Sequence, residues 1–307
     1  MTSENFQKEY KFVRGGGIGF YRQTRGLIAV WGKEAVQFLN GLMTNDVAKL
    51  EENSQMFAAF PNAQGRLLAV VRVLRKGDKF LFETEAATRE KVFNNLFRFT
   101  FAGDFYVEDL SKNFQFFEVQ SAKCKVQSAD SMVFRSKFST DYFVPKEAVE
   151  NFSRELENQR AVEISDEVYE VLRVENGVPK YGVDMDETTI VPELGLENLI
   201  SYQKGCYIGQ EIIARIHFRG HIAKQLTGLI LSEPPASVDG LNLEPHNAEL
   251  KSLDGKNAGR ITSVTFSPTL KKFIALAFVR YDYLAENTKL KVNDLAARVK
   301  NLPFVKN

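Results

Sequence analysis

The chain has 307 residues, enough for two or three domains that each bury a core. Its 44% hydrophobic and 26% charged content is ordinary for a soluble globular protein. Forty basic against 39 acidic side chains leave a net charge of +1, so no global field recruits nucleic acid or an anionic membrane. Cys124 and Cys206 lie far apart and form no metal-spaced pair; they read as thiols of a reducing compartment. Met1 to Tyr10 is polar, with no apolar core of a secretory signal. No apolar run approaches the ~20 residues needed to cross a bilayer. A cytoplasmic protein without a membrane partner is expected.

In chain order, Gly15-Gly16-Gly17-Ile18-Gly19 suggests a nucleotide loop. Such a loop must follow a strand and open a helix, whereas Phe20 to Val30 reads as extended, with a kink at Arg25-Gly26. The glycines are therefore a flexible approach to the first strand. Gly32 to Asn45 is predicted as a helix with Ala35, Val36, Phe38, Leu39, Leu42 and Met43 on one face. Gln55 to Phe60, Arg66 to Leu74 and Lys79 to Thr84 read as strands, turned by Pro61–Gly65 and Lys76-Gly77-Asp78. Ala87 to Phe99 reads as a helix with Val92, Phe93, Leu96 and Phe97 inward, and Phe105 to Leu110 as a strand.

The pattern then recurs. Phe114 to Val119, Met132 to Phe134 and Tyr142 to Val144 are strand-like. Pro145 opens a helix to Arg160, and Ser165 can cap a helix over Asp166 to Asn176 that Gly177 ends. The expected class is α+β, a body of two ferredoxin-like halves over residues 1–222. Over 223–307, short strands at Leu226–Leu231, Ala248–Leu253, Arg260–Phe266, Phe273–Arg280 and Lys289–Val292 suggest a small barrel or sandwich. Glu233-Pro234-Pro235 reads as a loop within it.

The stretch that carries chemistry is Lys204-Gly205-Cys206-Tyr207-Ile208-Gly209-Gln210-Glu211, followed at once by a helix-compatible run from Ile212 to Ile216. A thiol at a helix start is favoured as thiolate by the unpaired N–H groups there, and Lys204 adds to that. The competing reading is a small buried cysteine that only packs. Glu175 is a carboxylate near the end of an apolar helix face beside Val171, Leu172 and Val174. An exposed glutamate, or one paired with Arg173, is the plain reading. Arg215, His217, Arg219 and His221 cluster after the cysteine. A metal reading of the two histidines lacks a third ligand, and Gly220 interrupts the helix between them, so a solvated basic edge is expected and no metal.

Lys204 to Glu211 resembles the KGCYxGQE signature of the YgfZ family, folate-binding proteins linked to iron–sulfur cluster maintenance, whose eukaryotic counterpart is a mitochondrial iron–sulfur assembly factor. The likeness extends over Arg173–Gly177, Tyr181–Met185, Pro192–Gly195, Phe38-Leu39 with Thr44-Asn45-Asp46, Gly259–Ser263, Ser267-Pro268 and Ile274–Ala277. It implies a GcvT/YgfZ-like folate-binding body with a C-terminal β-barrel, and tetrahydrofolate or another reduced folate as cofactor. Cys206 would be the working thiol, helped by Lys204, with Glu175 on the pterin, whose adjacent N–H donors a carboxylate can accept together. Tyr181 would line the pocket, and Arg215 or Arg219 would hold the glutamyl tail. Iron–sulfur assembly proteins or client enzymes are the implied partners.

The wider superfamily includes the T-protein of glycine cleavage, a tetrahydrofolate-dependent aminomethyltransferase with a catalytic aspartate on the strand after an Asn-Ala-x-Gly turn. Here that turn is Asn62-Ala63-Gln64-Gly65, and the aspartate's place falls at Ala69 or Val70, neither of which moves a proton. The T-protein's GYTGE segment is also absent around Arg135 to Tyr142. A folate-dependent C1-transfer enzyme with its acid–base residue elsewhere is the alternative function. A tRNA-modification-associated protein is a third, against which stand the neutral charge balance and the lack of an aromatic–basic recognition motif.

Overall fold

The computed structural model describes residues 4–121, 124, 126, 131–232, 248–292 and 295–306. The loop expected at Glu233-Pro234-Pro235, residues 1–3 and the lysines flanking Cys124 lie outside the described residues. Packing divides the chain into two units that alternate along it. Unit one holds Met1–Phe60, Leu68–Tyr169 and Asn198–Tyr207; unit two holds Pro61–Leu67, Glu170–Glu197 and Ile208–Asn307.

Unit one contains α1 (Glu4–Arg14), β1 (Gly19–Gln23), β2 (Arg25–Trp31), α2 (Ala35–Leu42), β3 (Gln55–Pro61), β4 (Leu67–Lys76), β5 (Lys79–Glu85), α3 (Arg89–Phe97) and β6 (Tyr106–Asp109). β7 (Phe114–Gln120), β8 (Met132–Arg135), β9 (Thr140–Pro145), α4 (Val149–Asn158), β10 (Val162–Glu163) and the start of α5 (Asp166–Glu175) follow. One five-stranded sheet runs β10-β1-β7-β9-β8 and the other β3-β4-β5-β2-β6. The kink expected at Arg25-Gly26 is a change of sheet at Thr24: β1 pairs with β7, β2 with β5 and β6. Leu27, Ala29, Leu74 and Leu81 of one sheet pack with Phe116, Phe134 and Phe143 of the other.

Several elements differ from the sequence expectation for local reasons. α1 was hidden in a polar terminus; Glu9 is buried and accepts from both the backbone N and the hydroxyl of Ser165, at 2.8 and 2.7 Å. The Ser165 hydroxyl thus donates to Glu9 just before the start of α5. α2 starts later than Gly32, which has φ +122° and approaches the Asp104 carbonyl too closely for any side chain. It also stops before Met43, whose backbone is extended. Phe97 faces out, 43% exposed and stacked on Phe93, because the buried stripe of α3 is Val92, Asn95 and Leu96.

Unit two holds the end of α5, α6 (Gln210–Arg219), β11 (Lys224–Leu231), β12 (Glu249–Lys251), β13 (Asn257–Ser267), β14 (Lys272–Arg280), β15 (Lys289–Val292) and β16 (Leu295–Lys300). The strands close into a barrel in the order β11-β14-β13-β12-β15-β16. The sequence reading had five of these strands; the sixth, β16, pairs with β11 and makes the closure. Leu229, Leu231, Leu250, Ile261, Ala275 and Val299 are among the residues filling its interior. Val174 of α5 packs on an outer cluster with Leu226, Ile274, Leu276, Phe278 and Phe304.

Candidate functional site

Cys206 is exposed, on a segment of unit one held from several directions. The Thr44 hydroxyl donates to the Leu199 carbonyl at 2.7 Å, and Asn45 Nδ2 donates to the carbonyls of Asn198 and Phe57, each at 2.8 Å. In return Lys204 Nζ donates to the carbonyls of Met43 and Asn45, both at 2.7 Å. These are the free carbonyls just past the end of α2, where a cation is favoured. Lys204 is 9% exposed, and its ammonium lies 5.1 Å from the centre of the Tyr207 ring. Burial lowers its pKa to about 8, opposed by Asp46. Burial also pushes the Tyr207 hydroxyl up to about 12. The Thr44-Asn45-Asp46 segment and the cysteine octet, far apart in sequence, are thus one hydrogen-bonded assembly.

Two details of the expected thiol site change. α6 begins at Gln210 with Gly209 as its N-cap, so Cys206 precedes the helix and is not its first residue. Gly209 adopts φ +81°, and a Cβ there would lie 2.4 Å from the Asn62 carbonyl, so the chain turns at that glycine before the helix can start. The Lys204 ammonium donates to two backbone carbonyls beside α2. Gly205 has open space where a Cβ would be, so no close approach requires it. Cys124 is half-buried against the core of Phe20, Phe117, Tyr142 and Phe152, and burial raises its pKa.

In unit two, the segments around Glu175 and Tyr181 converge on Asp184. Asp184 is fully buried. Its Oδ2 accepts from Arg173 Nη1 at 2.7 Å and from the Lys180 backbone N at 3.0 Å. Its Oδ1 accepts from the hydroxyls of Thr262 and Ser263, both at 2.6 Å. Arg173 also donates to Glu170, Ser263 and the Val178 carbonyl. Glu175 is fully buried and accepts from Ser267 Oγ at 2.5 Å, while its backbone carbonyl accepts from Phe304 N. It is neither exposed nor paired with Arg173. Tyr181 is 8% exposed and bridges to Met185. Sequence reasoning passed over Asp184; its signal was a lone aspartate within Tyr181–Met185 that the barrel's Thr262-Ser263 pair could satisfy.

On β4, Ala69 is buried and Val70 half-buried. Arg215, His217, Arg219 and His221 are all exposed. α6 ends at Arg219, so the two histidines do not share a helical face, and His221 stacks on Tyr281 at 4.1 Å. Among the described residues no three His, Cys, Asp or Glu side chains come together to hold a metal. No helix among them is long and apolar enough to cross a membrane.

The fold is GcvT-like. It superposes on the glycine cleavage system aminomethyltransferase T of Bartonella henselae with a TM-score of 0.84, at 19% identity, over 98% of this chain and 89% of that one. Residues 2–126 match the GCVT N-terminal domain and residues 224–306 the glycine cleavage T-protein C-terminal barrel domain. Among similar curated proteins, an aminomethyltransferase of Thermoanaerobacter pseudethanolicus is 24% identical, covering 94% of this chain and 85% of its own. A mitochondrial iron–sulfur cluster assembly factor IBA57 homolog of Mycosarcoma maydis is 27% identical, covering 79% and 70%.

Proposed function

We propose that this chain is a reduced-folate-binding protein that supports iron–sulfur cluster assembly or repair, with Cys206 as its working thiol. The observation that carries the reading is the exposed thiol on a segment pinned by Thr44, Asn45 and Lys204. Such a loop presents a nucleophile or metal-binding sulfur at a fixed place while leaving it reachable. The likeness to an iron–sulfur cluster assembly factor supports the same role.

A reduced folate such as tetrahydrofolate is supported by the likeness to aminomethyltransferases and by the exposed cations on α6. Arg215 or Arg219 would hold the carboxylates of the glutamyl tail, and Tyr181 would line the ring site. Glu175, which accepts from the Ser267 hydroxyl, would meet the pterin's N–H donors, since a carboxylate can accept several hydrogen bonds. Because Glu175 is buried, that contact requires the side chains around it to open. Calorimetry with tetrahydrofolate is expected to show at least about tenfold weaker binding for Glu175→Gln, which loses the charge and keeps the shape. Equal affinities would remove Glu175 from the site.

Aminomethyl transfer is not expected of this chain. Neither Ala69 nor Val70 can stabilise a developing cation or accept a proton, whatever folate is bound. Aminomethylated carrier protein mixed with tetrahydrofolate should give no methylene-tetrahydrofolate above background. Turnover at about 1 per second or faster would refute this and favour a C1-transfer enzyme.

A further inference from the structure

The buried charge of unit one is concentrated where its two sheets meet. Arg72 of β4 donates to Glu83 of β5 at 2.6 Å and reaches Asp141 of β9, in the other sheet, at 2.5 Å. Arg25 of β2 also pairs with Glu83. Next to them stands Glu118 of β7, half-buried. Its Oε2 accepts from Gln23 Nε2 at 2.9 Å and from the Tyr169 hydroxyl at 3.2 Å, and its Oε1 from Gln120 Nε2 at 2.6 Å. Two guanidinium groups thus meet three carboxyls, one carboxyl more than they neutralise.

Glu118 and Asp141 are register partners across the β7–β9 ladder. Directly opposed residues share a face of the sheet with Cβ atoms about 4.5–5.5 Å apart, where like charges repel. Asp141 is 3% exposed, and its Oδ1 is buried yet accepts no hydrogen bond from the described residues. A buried acceptor left without a donor is costly, unless the donor is a proton on a neighbouring carboxyl. We propose that Glu118 and Asp141 share one solvent-derived proton at neutral pH, Glu118 being the un-ionised partner whose O–H donates to Asp141 Oδ1. The pair is then a proton-binding site within one sheet, beside the Arg72–Asp141 contact that ties that sheet to the other, and it neutralises the excess carboxyl.

The surroundings agree with that assignment. Burial and the Asp141 charge push Glu118 up to about 8, against Arg25, Arg72 and the Tyr169 hydroxyl, which pull it down. Glu85, the ladder partner of Arg25, also acts on its guanidinium. On the other side of Glu118, its ladder partner Tyr21 turns its hydroxyl to Asp166. The folded state holds a proton that an unfolded glutamate has lost between pH 4.5 and about 8, so this group's contribution to stability declines as pH rises through that window. Lys204 acts in the opposite sense, with lowered pKa, and only from about 8 upward, while burial raises Glu193 in the same sense as Glu118, so the comparison with Glu118→Gln is what isolates the pair.

The test is a carbon-13 NMR titration of glutamate side-chain carboxyls in the full chain, with Glu118→Gln for assignment. One resonance should titrate near pH 8, on the order of a thousandfold tighter proton binding than a free glutamate, and should vanish in Glu118→Gln. The melting temperature of the parent should fall between pH 6 and 8 relative to Glu118→Gln, whose amide can donate to Asp141 at every pH. If no glutamate titrates above pH 6, or the two melting curves run parallel, the shared proton is absent. Should Glu118→Gln fail to fold, the titration of the parent decides alone.

Discussion

Cys206→Ser is expected to fold and bind folate as the parent does, yet to leave iron–sulfur enzymes inactive in cells lacking the protein. Cys124→Ser should restore them fully. The fold does not depend on the Cys206 sulfur: the segment is held by the Thr44, Asn45 and Lys204 hydrogen bonds, and the thiol is exposed. Serine keeps the size and removes the sulfur chemistry. Cys124 is half-buried, packed against apolar side chains and kept as a neutral thiol by burial, which suits packing and not reaction. The readout is the activity of an iron–sulfur enzyme in complemented cells, with folate affinity of each purified variant as the control for folding. Full complementation by Cys206→Ser would make the thiol dispensable and end the proposed role.

Asp184→Ala should be the most damaging single change to unit two. The carboxylate accepts four hydrogen bonds, from Arg173, Lys180 N, Thr262 and Ser263. Removing it leaves the buried Arg173 guanidinium with the partly exposed Glu170 as its remaining acid partner, and strands two hydroxyls. Breaking one side of a buried ion pair costs about 3–5 kcal/mol, a large part of a typical total stability of roughly 5–15 kcal/mol. The expected outcome is mostly insoluble protein, or a denaturant midpoint shifted by that amount. Asp184→Asn keeps an acceptor and should lose less. A loss under about 1 kcal/mol for alanine would mean that the network is solvated and not structural.

Much of the architecture is legible in the residues because burial writes a period into a strand. β3, β4, β5, β7, β9 and β14 carry the apolar and β-branched runs that read as strands, and the turns between them carry Gly, Asn and Pro. β16 alternates exposed and buried positions over Ala296 to Val299, but its two alanines and an arginine dilute the apolar signal, and closure of the barrel was lost with it. α1 was missed because its buried positions are Phe6, Glu9 and Tyr10, and a buried glutamate looks like surface until Ser165 is known to meet it.

The candidate site shows the same division. A cysteine between glycines is visible in the chain. That Lys204 donates to the carbonyls just past the end of α2 depends on contacts spanning some 160 residues, which no local pattern encodes. The Glu118–Asp141 pair is likewise invisible until β7 and β9 are placed in register.

Thr24 alone separates β1 from β2, and the two strands serve different sheets. Side chains alternate along a strand with a period of two, so adding or removing one residue there would turn one strand inside out relative to its partners. Each sheet therefore fixes the phase of the other. A chain built this way tolerates no drift in length at that point, and the two sheets of unit one can change through descent only together.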